Sequence, residues 1–146
     1  MRRVSFDDNV LIHTLDVDDR RHAGAVDLVA RACRADCVLA LQSLGELHHV
    51  VTRKRLAAAD VAAAHVEDLP AIFPSVAHDA QALRLAVAAN RRHHLPFWDA
   101  MLWASVRAAG CGVLLSEDFQ DGREFEGPTR PSSRSRAGLR STRRSR

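Results

Sequence analysis

Tyrosine is absent from this chain of 146 residues, lysine occurs once, at Lys54, and cysteine three times. Set against heavy use of Ala and Arg, the first two shortages read as the codon bias of a GC-rich, bacterial genome and carry little physics. The three cysteines, Cys33, Cys37 and Cys111, are odd in number. Neither they nor the pairs His48-His49 and His93-His94 show C-x2-C or H-x3-H spacing. This argues against a disulfide scaffold and a structural zinc site, and leaves reduced thiols. No apolar run is long enough to span a bilayer, and no signal-peptide core follows Met1, so a cytoplasmic protein with no membrane partner is expected.

Negative charge is missing from the C-terminal stretch. Residues 128–146 hold seven Arg (Arg130, Arg134, Arg136, Arg140, Arg143, Arg144 and Arg146) and no acid, within a chain of net charge +3. Removing that +7 leaves residues 1–127 at −4, so an acidic body carries a basic tail. The tail is Pro, Ser, Arg and Thr with almost nothing to bury, and is expected to be disordered. The reading is therefore one domain over 1–127, followed by a basic tail over 128–146.

Within the body, short apolar stretches alternate with helical periodicities. Arg3 to Phe6 reads as a strand running through Asp7-Asp8-Asn9 into an apolar helix at Val10 to Leu15. Ala25, Leu28, Val29 and Ala32 form one helix face, and Val38 to Ala40 a second strand. Ser43 and Glu46 fit a Ser-x-x-Glu capping box at the start of a helix reaching about Lys54. A helix over Ala57 to Leu69 should close at Pro70, and a weak strand covers Ile72 to Ala77. A further helix from Asp79 presents Leu83, Ala86, Val87 and Asn90 on one side and ends in the basic Asn90-Arg91-Arg92-His93-His94. Those basic residues suit a helix C-terminus, with a phosphate contact as the functional reading.

The stretch Leu95 to Trp103 organises the rest. It reads as an apolar helix in which Asp99 is the only charge before Arg107, then a turn at Gly110 and Gly112, a strand at Val113 to Leu115, and an acidic turn from Ser116 to Gly122. A lone carboxylate on so apolar a helix calls for a partner if it is buried. It also suits the positive end of the helix dipole, three residues after Pro96.

Alternating strands and helices imply an α/β fold with a parallel sheet, in which strand ends and following helix starts share one rim. Asp7 and Asp118 end strands, and Glu46 and Asp99 open helices. Neighbouring first and last strands, about 4.8 Å apart, would bring their acids together. Four ionised carboxylates meet only around a cation, and an all-oxygen set suits Mg²⁺ or Mn²⁺ over zinc. Such a centre fits hydrolysis of a phosphodiester.

These residues resemble a known family. Phe6-Asp7-Asp8-Asn9-Val10-Leu11-Ile12 is similar to the D-x-N-V-L-I opening of PIN-domain ribonucleases. Leu41 to Leu47, Phe97-Trp98-Asp99-Ala100 and Leu115 to Gly122 resemble their second, third and fourth acidic motifs. The order and setting agree over residues 3–124, with the nearest likeness to VapC-type toxins of type II toxin–antitoxin pairs. The resemblance implies a three-layer PIN-like fold, a short parallel sheet of four to five strands flanked by helices. It also implies a Mg²⁺-dependent endoribonuclease, a homodimer, an RNA substrate and a cognate antitoxin. Asp7 and Asp99 would be the principal metal ligands, and Glu46 and Asp118 would bind a second ion or orient the attacking water. Asn9 would position Asp7, and Ser116 takes the small hydroxyl place before the fourth acid. The chain departs from the family after Phe125, where a last apolar strand is replaced by the Arg/Ser tail. A frameshifted terminus or a nucleic-acid-binding extension would each produce that change.

Rival readings are weaker. A haloacid-dehalogenase-type phosphatase needs an Asp where Asn9 stands, and it shares with response-regulator receivers the need for a lysine that Lys54 does not supply. The alternative from another class is a non-catalytic RNA- or protein-binding module, with the acids as helix caps and the Arg tail on phosphates.

Overall fold

The computed structural model describes residues 2–115 and the strand at 124–125. The strands are β1 (Arg3–Phe6), β2 (Leu39–Ala40), β3 (Ser75–Val76), β4 (Cys111–Leu115) and β5 (Glu124–Phe125). The helices are α1 (Asp8–His13), α2 (His22–Ala32), α3 (Leu41–Arg53), α4 (Ala59–Ile72), α5 (Ala80–His93) and α6 (Phe97–Ala108). This is the α/β architecture expected, helices flanking a small parallel sheet.

The sheet is built from two ladders. β1 pairs in parallel with β4, Phe6 opposite Leu115, and β2 pairs in parallel with β3, Leu39 opposite Ser75. A parallel bridge between Val4 and Cys37 joins them, with Val38 N–H donating to the Val4 carbonyl at 3.0 Å. β1 thus lies between β4 and the segment leading into β2. β5 departs from the all-parallel expectation: it runs antiparallel to β4, Glu124 opposite Leu115. A last short strand is therefore present, at the edge where antiparallel pairing is tolerated.

Two faces of this sheet are packed by different helices. Phe6, Val10, Leu11, Leu39, Leu47 and Val51 sit in a buried cluster with Phe73, whose ring meets Phe6 edge-on at 6.5 Å. On the other side Trp103, Val106 and Leu114 pack with Val38 and Ala40. α5 and α6 meet through alanines (Ala82, Ala86, Ala89, Ala100 and Ala104), which let the two helices approach closely.

Several local expectations need correction. The Ser43–Glu46 capping box does not form: α3 starts at Leu41 behind an Ala40 N-cap with no side-chain cap, and Ser43 is a buried helical residue. α4 continues two residues past Pro70, because a Pro in the last turn forfeits only one hydrogen bond close to where the ladder ends anyway. On α5 the buried face is Ala82, Ala86 and Ala89, while Leu83 and Val87 are exposed. Of the face read from the sequence, Ala86 is buried but Leu83 and Val87 are not, because close packing against α6 selects the small residues. At the α6–β4 connection Gly110 has φ of 91°, a conformation costly for any residue with a Cβ, so this glycine is required by the turn.

Among the described residues no helix is long and apolar enough to cross a membrane. All three cysteines are free.

Candidate active site

β1 ends at Phe6, and Asp7 follows as the N-cap of α1. Its Oδ1 accepts the Val10 backbone N–H at 3.2 Å, and its own N–H donates to the Leu115 carbonyl at 3.0 Å. The second bond ties Asp7 to the last residue of β4, so the ends of β1 and β4 lie side by side. Asn9 stands in the first turn of α1, half-buried like Asp7 and Asp8.

Glu46 lies in the second turn of α3, half-buried, and Asp99 in the first turn of α6. Burial pushes the Glu46 carboxyl above the usual carboxylate range, and the negative charges of Asp8 and Asp99 push it further; a hydrogen bond from Gln42 works the other way. Asp8 and Asp99 lie in the first turns of α1 and α6, so like charge from both helices bears on Glu46. Gln42 Nε2 spans the gap, donating to Glu46 Oε1 at 3.3 Å and to the Trp98 carbonyl at 3.0 Å.

Asp99 is exposed. A desolvation penalty therefore does not explain its place on α6: the apolar side of the helix faces inward and Asp99 sits outside it. Ser116 and Asp118 lie outside the described residues. Among the described residues no three His, Cys, Asp or Glu side chains already form a metal-binding group. The donor set at this rim is nevertheless all oxygen, and a carboxyl held above its usual range by burial and then by like charges gains from a cation.

α5 and α6 are joined by a short connection, with His94 as C-cap of one and Pro96 as N-cap of the other. The exposed Arg91, Arg92 and His93 of the last turn of α5 thus border the first turn of α6, which carries Asp99. The helix C-terminus accounts for their sign. It also gives the acidic rim a cationic margin.

Comparison with known families decides the question of kinship. The family model described as PIN domain matches residues 4–120. The chain belongs to the PIN-domain family. Its fold is shared with the crystal structure of VapC20 from Mycobacterium tuberculosis, a toxin that cleaves the sarcin–ricin loop. The TM-score is 0.63 at 19% identity, over 84% of this chain and 97% of that one. A comparison with curated proteins finds no match.

Within this PIN domain, sequence reasoning had placed Asp7 at a strand end and Glu46 and Asp99 in first helix turns; Asp7 and Asp99 stand there, while Glu46 falls in the second turn because α3 already starts at Leu41. It missed Gln42 and the part played by Asp8 in the field at Glu46. Both were detectable: Gln42 precedes Glu46 by four residues, hence shares its helix face, and Asp8 adjoins Asp7.

Proposed function

We propose that this PIN domain is a metal-dependent endoribonuclease and the toxin component of a toxin–antitoxin pair. The observation that carries the reading is geometric: Asp7 stands where the ends of β1 and β4 are joined, and Gln42 links Glu46 on α3 to the residue before Asp99 on α6. Family membership and the shared fold with an RNA-cleaving toxin support it.

Asp7 and Asp99 are assigned as principal ligands of Mg²⁺, with Mn²⁺ as a substitute, and Glu46 and Asp118 as ligands of a second ion or as orienting groups for the attacking water. A bound divalent ion supplies neutralisation of phosphate charge and polarisation of the scissile phosphodiester. Asp7 is suited to its part because the bond to Val10 N–H fixes its side chain, and Asn9 is assigned to help position it. Glu46 holds a proton more readily than an ordinary glutamate, which suits a group that orients water or moves a proton. Ser116 is assigned a supporting role before Asp118. Arg91 and Arg92 are assigned to the RNA backbone, whose phosphates they would draw towards Asp99.

The Arg-rich segment 128–146 is assigned to long-range RNA attraction, and residues 1–127 to the nuclease domain. An antitoxin and a second copy of the chain complete the proposed partners, and the cytoplasm is the proposed compartment.

The test is cleavage of a mixed RNA by the full chain and by residues 1–127, with Mg²⁺, Mn²⁺ or EDTA, beside Asp99→Asn. Cutting that follows the metal, survives truncation and is lost in Asp99→Asn is the expected result. Folded protein that binds RNA but cuts none would replace the enzyme with a binding module.

A further inference from the structure

Gln42 makes the one described side-chain link between the helix bearing Glu46 and the helix bearing Asp99. Its amide nitrogen has two hydrogens and both are used: one on Glu46 Oε1 at 3.3 Å, the other on the Trp98 carbonyl at 3.0 Å. Both partners are acceptors, so the amide has one orientation only, and turning it over would set oxygen against oxygen. That orientation leaves Gln42 Oε1 buried and, among the described residues, without a donor. A buried carbonyl oxygen left so is destabilising, a cost that an apolar residue at this position would avoid.

We propose that Gln42 is a positioning residue of the acidic site, which locks the α3 acid Glu46 in register with the first turn of α6 so that Glu46 stays beside the metal ligand Asp99. This rests on the nuclease reading given above. The bond to Oε1 fixes the Glu46 side chain while leaving Oε2 outside it. The bond to the Trp98 carbonyl fixes the backbone one residue before Asp99. The two carboxylates repel each other, and without a clamp they would turn apart in the metal-free protein; with it, the repulsion is held ready for an ion to relieve.

Two substitutions in the full chain test this. Gln42→Leu removes both bonds and the orphaned oxygen. Gln42→Glu keeps the shape, replaces the donor with an acceptor and adds negative charge. Mn²⁺ affinity is read by calorimetry, RNA cleavage as separate kcat and KM, and folding by melting temperature. Groups that orient metal ligands cost about 10–100-fold in affinity or activity when lost. Gln42→Leu is expected to weaken Mn²⁺ and lower kcat within that range, with KM for RNA and melting temperature little changed. Gln42→Glu separates positioning from attraction: a kcat loss despite the added negative charge is expected, whereas unchanged or higher kcat would show that charge alone governs the site. Wild-type Mn²⁺ affinity and kcat in Gln42→Leu would overturn the proposal and leave the nuclease standing. If the wild-type chain itself cuts no RNA, the nuclease reading fails, and Gln42→Leu still decides the proposal through Mn²⁺ affinity.

Discussion

Asp7 caps the helix that ends with His13 by accepting the N–H of Val10, so one carboxylate serves both α1 and the proposed metal. The two duties are separable. Asp7→Asn keeps an oxygen for the cap and is expected to leave stability within about 0.5 kcal/mol of the wild type. Asp7→Ala should lose about 1 kcal/mol, read as a lower midpoint in urea. Cleavage should fall at least about a hundredfold in both, since neither offers an anionic ligand. Equal stability of the two variants would show that the cap contributes nothing.

Glu46 poses the reverse problem. A carboxyl whose folded pKa is raised binds its proton more tightly in the native state than in the unfolded one. Stability linked to it is fully present below the unfolded value near 4.5 and is lost as pH rises through the higher folded value. Above that window the ionised group destabilises the metal-free fold. Glu46→Gln should therefore raise metal-free stability at pH 7 by at most about 1 kcal/mol, the half-exposed group being partly screened by solvent. The gain should shrink to nothing below about pH 4, and Mn²⁺ should abolish it by stabilising only the wild type. A variant less stable than wild type at pH 7 without metal would contradict the charge argument.

The thiols offer a check on burial. Cys33 is exposed, whereas burial pushes the Cys37 and Cys111 thiols up to about 12. Thiolate is the reactive form, so a thiol reagent at pH 8 should label one cysteine of the native protein and three after denaturation. Rapid native labelling of Cys37 or Cys111 would mean that the sheet opens around β1.

Arg91 and Arg92 lie in the last turn of α5, just ahead of the α6 turn that carries Asp99, and pair with no acid among the described residues. Replacing both by Ala should raise KM for RNA about five- to tenfold, leave kcat and Mn²⁺ affinity alone, and flatten the salt dependence of binding. A change in kcat with KM constant would place them in the chemistry instead.

How much of this was legible beforehand differs by level. β1, α1, α3, α6 and β4 were read close to their observed limits, because each carries a pattern decided locally: an apolar run, a Gly turn, a Pro before a helix. Asp99 stood in the first turn after Pro96 as expected, and its exposure favours the helix-dipole account over that of a buried charge. What failed depended on neighbours distant in sequence. Which side of α5 is buried follows from alanines on α6; the antiparallel sense of β5 has a nearer cause, since the eight residues between Leu115 and Glu124 are too few for a parallel crossover. The missing capping box is instructive in another way. Ser43 and Glu46 have the right spacing, but the chain enters α3 two residues earlier, straight from β2, so both become interior helical positions.

The place of β1 has a bearing on how such a chain can change. This strand is held on both sides, by β4 and through Val4 by the segment at Cys37, and Asp7 follows directly from it. Among the described residues the outer strand β5 pairs with β4 alone, so change along it reaches β1 only through β4. Drift at the periphery is thereby buffered from the innermost strand, and a lineage has room to vary its outer edge while the strand that leads into Asp7 stays as it was.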